Sequence, residues 1–198
     1  MRPNRQSVKP RRDPGFGPRE HYMRHLLSFL VDGHEPPQDQ RAFTADRADV
    51  DEGYFDAIGI PIVAGRSFTE ADREGTQSVA IISNAIARHF WPGGDAIGRM
   101  IRTSDVNDDD LVVAGIAADA KIRTIGETPR DMIYRPAAQH ETRGPTVVAR
   151  TSGNAQQTAL ALMSAGRSID PDFWVWEVKT MERHWRWGGC RPNSRRSS

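Results

Sequence analysis

Six histidines, His21, His25, His34, His89, His140 and His184, are the residues of this 198-residue chain best suited to hold a metal or move a proton near neutral pH. Their spacing does not assemble that chemistry. No HExxH occurs, and His21 and His25, four apart, fall in a stretch whose composition predicts disorder. Cys190 is the single cysteine, which excludes an internal disulfide and a cysteine-based metal centre, and its Gly/Arg/Ser surroundings supply no base to activate a thiol. Asp108-Asp109-Asp110 lacks the DxDxDG spacing and closing glutamate of a calcium loop and reads as a solvated hairpin tip. Gly93-Gly94-Asp95-Ala96-Ile97-Gly98 resembles a phosphate loop only in its glycines: no Lys-Ser/Thr follows, and a helix rather than a strand precedes it. No GxSxG nucleophile elbow is present. The residues therefore nominate no catalytic group, no cofactor-binding group and no metal ligand, and an enzyme is not expected.

Aromatic residues offer the other route to a site. Tyr54, Phe55, Phe68, Phe90 and Trp91 have the types of a ligand cage, but their helix and strand positions favour core packing. Trp174 and Trp176 share one face of a predicted strand, where they serve either a partner surface or burial against the last helix.

The formal net charge of +1 hides an uneven distribution. Residues 1–24 carry seven Lys and Arg against two Asp and Glu, and residues 183–198 carry five against none. The stretch between them carries fifteen against twenty-four. An acidic body between basic tails repels nucleic acid, whose binding rests on clustered cations, so no nucleic acid is expected as a partner. Hydrophobic residues make up 37% and no run of about 18 apolar residues occurs, so no segment of this sequence reads as a membrane span or as a secretory leader.

The elements that would position these residues follow from local pattern. Residues 1–25 read as a basic disordered tail, rich in Pro and Gly. Leu26–Val31 and residues 42–50 read as strands. Asp51 is placed to cap a short helix through Tyr54, Phe55 and Ile58 that stops at Gly59. Thr69-Glu70-Ala71-Asp72 has capping-box spacing and predicts a helical turn. Ser78–Ile82 reads as a strand, capped by Ser83 or Asn84 into a helix that presents Ile86, Ala87 and Phe90 to a core and ends at Trp91-Pro92. Strands are predicted at Gly98–Thr103, Leu111–Ile116, Asp131–Tyr134, Thr146–Arg150 and Phe173–Val178. Asn154 caps a helix with an apolar stripe of Ala159, Leu162, Met163, Gly166 and Ile169. Thr180 begins a further helix that does not develop. No internal repeat is present.

Several of these segments carry a shared pattern. Gly53-Tyr54-Phe55-Asp56-Ala57-Ile58-Gly59-Ile60-Pro61, with Gly65-Arg66-Ser67-Phe68 and Asp72 after it, fits YFxxxGIPxxxGRxFxxxD. Ser83-Asn84-Ala85-Ile86-Ala87-Arg88-His89-Phe90-Trp91-Pro92 follows. Val113–Lys121 fits VVGVVxDxK with Ala114 at the second valine, Tyr134–Gln139 fits YxPxxQ, and Val148–Asn154 fits VVRTxGD with Asn154 for Asp. In that order, from about Leu30 to Glu182, the chain resembles the MacB-like periplasmic core domain of MacB/FtsX-type ABC transporter permeases.

The resemblance implies an α+β fold, with a porter-like α/β subdomain (residues 26–49 and 143–183) and an inserted, mostly β, Sabre-type subdomain (50–142). It implies a non-catalytic extracytoplasmic domain that couples conformational change to export or to a periplasmic partner. The partners it implies are permease transmembrane helices, a cytoplasmic ATPase subunit and a second permease copy, with no cofactor. The pattern breaks near Glu182, where Trp185-Arg186-Trp187-Gly188-Gly189-Cys190-Arg191-Pro192 stands in place of a helix toward the membrane. Such a switch resembles translation in a wrong frame and predicts that this chain is a piece of a larger permease, with residues 184–198 a disordered basic tail. The rival expectations are a free-standing soluble binding domain of the same fold and a binder of anionic polymers through the basic tails.

Overall fold

The computed structural model describes residues 26–104, 109–120, 130–140, 146–171, 178 and 180. The predicted tails, the strand over Phe173–Val178 with Trp174 and Trp176, the helix begun by Thr180, and His21, His25, Asp108, His184 and Cys190 lie wholly or largely outside them.

Seven strands, three α-helices and a 3-10 turn over Ala137–Gln139 are present among the described residues. They run β1 (Leu26–Val31), β2 (Phe43–Val50), α1 (Tyr54–Ile58), β3 (Ile62–Gly65), β4 (Val79–Ser83), α2 (Asn84–Phe90), β5 (Met100–Thr103), β6 (Leu111–Ala117), β7 (Met132–Pro136) and α3 (Ala155–Ile169). The strands form one mixed sheet in the order β3-β6-β4-β7-β2-β1-β5. β5 also pairs with β6, Met100 opposite Val112 and Ile101 opposite Leu111, and this closes six of the strands into a ring with β3 alongside. The fold is thus α/β in content with few helices, and β1 and β2 hydrogen-bond into the same sheet as the strands of residues 62–136.

Strand alternation sorts the apolar side chains into two clusters. Leu27, Phe29 and Val31 of β1, Ala45 of β2, Ala80 and Ile82 of β4, Ile101 of β5, Leu111, Val113 and Ile116 of β6 and Ile133 of β7 fill one cluster. Every ring strand contributes to it, so it occupies the ring interior, and Ile86, Ala87 and Phe90 of α2 pack into it. Val79 and Ile81 of β4, Met132 and Tyr134 of β7 and Ala117 of β6 face the other way. There they meet Val50, Phe55, Ile60 and Phe68, so the segment from α1 to Phe68 forms a lid over the second face. β4 and β7 are buried at all five positions, the pattern of a strand covered on both faces. Valine and isoleucine at consecutive positions in β4 are what that environment selects.

A bulge makes β6 serve three neighbours. Ala80 pairs with Val113 but Ile81 pairs with Gly115, leaving Ala114 as the extra residue. Parity along β6 therefore flips, which lets Val113 and Ile116 both reach the interior. At the bulge β3 crosses closely: Gly65 pairs with Gly115, and Arg66 N–H donates to the Ala114 carbonyl at 3.0 Å. A Cβ on Gly115 would overlap the Arg66 carbonyl oxygen, and one on Gly65, at φ +71°, would overlap that of Ala114. Paired glycines are the chemistry that close backbone contact requires.

Four expectations need correction. α1 is entered through Gly53 rather than capped by the Asp51 side chain; the Asp51 contribution is its carbonyl, which accepts from Tyr54 N–H at 3.3 Å. Thr69–Asp72 forms one hydrogen-bonded turn, with Asp72 N–H donating to the Thr69 carbonyl and Thr69 N–H donating back to Asp72 Oδ2, but no helix develops from it. Residues 146–150 carry β-branched residues but are in no strand with any described residue. α3 has its predicted stripe and its Asn154 cap, but none of its residues is buried, and Ile169 is 86% exposed. The strand β3 was not anticipated; at four residues, with Gly65 within it, it has little alternation to read.

Replacing Gly115 with alanine forces two backbones apart. The variant is expected to lose about 1–3 kcal/mol of stability, seen as a lower urea midpoint at unchanged m-value. An unshifted midpoint would show that β3 does not hold this approach in solution.

Candidate functional site

Polar side chains of the shared motifs, among them Arg66, Asp72, Asp119, Gln139 and Arg150, bond to other parts of the fold. Arg66 and Asp72 close the loop after β3. The Arg66 guanidinium donates to both Asp72 carboxylate oxygens at 2.7 Å, a bidentate fork. Asp72, 5% exposed, also accepts from the Thr69 backbone N–H at 2.8 Å and from its hydroxyl at 3.2 Å. The Arg66 hydrogen bonds, with help from Thr69 and against the cost of burial, hold the Asp72 carboxyl below its ordinary 3.8. Phe68 is fixed by this loop against Phe55, ring centroids 6.1 Å apart.

Asp119 and Ser83 organise the start of α2. Ser83 caps the helix, accepting from Ile86 N–H at 3.4 Å, and accepts from Met132 N–H at 3.2 Å. Asp119 accepts from Ala85 N–H at 2.7 Å and from the Arg88 guanidinium at 2.8 Å. Gln139 plays the same part at the entry to β4: its amide donates to the Gln77 carbonyl at 2.8 Å and the Thr76 hydroxyl at 3.0 Å, while its oxygen accepts from Val79 N–H at 3.3 Å.

One buried charge was invisible in the motifs. Arg135 is 2% exposed and donates through Nε to Asp49 Oδ1 at 2.8 Å, its register partner across the parallel β2–β7 pair. By strand alternation both side chains share the face of Ala45 and Ile133, at one end of the ring interior. The signal in sequence is faint: an aspartate in one alternating strand and an arginine in another.

The remaining candidates do not converge. Phe55 and Phe68 pack in one cluster with Tyr54, and Phe90 and Trp91 in the other, so the five aromatics are divided by the sheet and line no common cage. The His89 ring lies tilted by 37° against Phe90 with centroids 4.5 Å apart, and the ring of His34 meets Phe90 edge-on at 5.2 Å. Burial pushes the Asp131 carboxyl above its ordinary value, His89 pulls it back, and Asp119 raises it further. Asp119 is itself engaged by α2, through Ala85 N–H and the Arg88 guanidinium. Among the described residues no set of three or more His, Cys, Asp or Glu is placed to hold a metal ion. Gly93-Gly94 is a turn after α2. An open groove of about 390 Å³ lies along the β1–β2 pair, lined by Ser28, Gln40, Arg41, Ala42, Thr44 and Ser104. Among the described residues its lining holds neither acid nor imidazole, and none of those six residues belongs to a motif.

What the arrangement does is hold a shape. Residues 27–165 match the model of the MacB-like periplasmic core domain. The chain belongs to that family. Over 57 residues it is 37% identical to the ABC transporter permease YvrN of Bacillus subtilis (strain 168), a stretch of 29% of this chain and 14% of that permease. The periplasmic region of MacB from Actinobacillus actinomycetemcomitans has 18% identity and a TM-score of 0.49, covering 72% of this chain and 63% of that one. The extracellular domain of the ABC-type transporter YknZ from Gram-positive bacteria has 16% identity and a TM-score of 0.46, covering 77% and 79%. No helix among the described residues is long and apolar enough to cross a membrane.

Two predictions follow from this MacB-like domain's ion pairs. Because the folded Asp72 carboxyl is depressed, its stabilisation is present above 3.8 and is lost as pH falls through the lower folded value. Asp72→Asn should therefore flatten the acid limb of a stability–pH curve measured by urea unfolding; an unchanged limb would contradict the geometry. Asp49→Ala removes the carboxylate that accepts from Arg135 Nε and should cost about 3 kcal/mol, whereas the double change Asp49→Leu, Arg135→Met should cost much less. Equal losses in the two proteins would show that the charge pair is not what the position needs.

Proposed function

We propose that the chain is the extracytoplasmic, non-catalytic part of an ABC transporter permease. In this reading, ATP is hydrolysed by a separate cytoplasmic subunit. Membrane helices carry the motion to this domain, which shifts against a second permease copy or a periplasmic partner during export. The observation that supports it is the family match over residues 27–165. The bonding of the motif residues agrees with it: Arg66, Asp72, Asp119 and Gln139 are engaged in closing loops and capping elements rather than turned toward a common cavity.

The finer layout belongs to the same proposal. A porter-like part would use residues 26–49 and 143–183 and a Sabre-like part residues 50–142, with backbone pairing shared between them through β2 and β7. The chain spans 14% of YvrN, so a role within a larger permease is part of the reading, not of the match.

Location is the decisive property. With the gene expressed from its own locus and its own flanking sequence, a cysteine placed at Glu70 in a Cys190→Ser background should react with a membrane-impermeant maleimide on intact spheroplasts. Labelling that appears only after lysis would place the domain in the cytoplasm and overturn the reading.

A further inference from the structure

α3 has no buried residue, and among the described residues the segment before it makes no strand pairing. Side chains join this part of the chain to the sheet body. Arg150 crosses from this segment to α1, where its Nε donates to the Ala57 carbonyl at 3.1 Å. Helix α1 has five residues, and its C-terminal turn is closed by Gly59 N–H and Ile60 N–H, both donating to the Phe55 carbonyl. The Ala57 carbonyl is one of the helix-end acceptors that a cation can satisfy. Gly59 holds φ at +81°, and its missing side chain leaves the space that the guanidinium fills: a Cβ there would overlap Nη2 of Arg150.

The next residue continues the path. Thr151 Oγ1 accepts from Gly153 N–H at 3.1 Å and bonds the Thr158 hydroxyl at 3.1 Å. Thr158 lies in the first turn of α3, which Asn154 caps by accepting from Gln156 and Gln157 N–H. A run of hydrogen bonds thus links α1, Arg150, Thr151 and α3. Through Phe55, α1 is seated on Tyr134 of β7, ring centroids 5.0 Å apart, so the path ends on a strand of the ring.

We propose that Arg150 is a positioning residue, a joint seated on Gly59 that sets the angle at which α3 meets the sheet body and makes the two move together. This concerns geometry within the chain and stands apart from the permease reading; it would survive a cytoplasmic location.

The test is a distance measurement on the full chain by pulsed electron spin resonance, in a Cys190→Ser background. One spin label goes at Asp39→Cys on the body and one at Gln157→Cys on α3, both exposed positions. The parent should give one narrow distance distribution. Arg150→Ala should at least double its width. Gly59→Asn, which tolerates positive φ but occupies the seat, should do the same, and Arg150→Lys should fall between. A control pair, Asp39→Cys with Glu74→Cys within the body, should keep its width in every variant. An α3 distance as narrow in Arg150→Ala as in the parent, or already broad in the parent, overturns the proposal. Broadening of the control pair in step with the α3 pair overturns it as well, because Arg150 would then be holding the body rather than the joint.

Discussion

Two-sided burial of β4 is the constraint on which the rest of the structure depends. A strand whose every side chain is buried needs apolar material on both faces and backbone partners on both edges. β6 and β7 supply the edges. The ring interior with α2 supplies one face, and α1 through Phe68 supplies the other. Each of those suppliers then has its own requirement. α2 must start where β4 ends, which Ser83 and Asp119 arrange. The lid must turn back after β3, which Arg66 and Asp72 arrange. The entry to β4 must be tied off, which Gln139 arrange with Thr76 and Gln77.

Seen this way, the motifs are a list of fastenings. Residues with chemically versatile side chains are spent on backbone groups and on each other, and the exposed charge on the body is solvated. The buried Arg135–Asp49 pair fits the same pattern: a parallel strand pair is held in register by a charge whose loss costs more than its presence contributes.

Much of the fold was legible because local signals and tertiary demands agree. β4 reads as a strand from Val79-Ala80-Ile81-Ile82, α2 is bounded by Ser83 and Pro92, and α1 stops at Gly59, whose φ is positive as the stop requires. Closure of the ring was not legible, because the pairing of Met100 with Val112 depends on strand order rather than on any residue type. Nor was β3, whose short run takes its extended form from β6 and the facing pair Gly65 and Gly115. The strand expected at Thr146–Arg150 pairs with no described residue, and the strand expected at Phe173–Val178 lies largely outside the described residues. For the site, the sequence marked Arg66, Asp72, Asp119, Gln139 and Arg150 as members of a pattern but said nothing of their partners, which lie up to 93 residues away.

The claim at the centre of this account is that the closed sheet is one cooperative body built around β4. Native-state hydrogen exchange, followed amide by amide with increasing denaturant, tests it most directly. Amides of β5 and the first half of β6 should open together with those of β4 and β7, at the free energy of global unfolding. Exchange of β5 at a far lower free energy while β4 stayed protected would mean that the ring is open in solution and the sheet is not one cooperative unit.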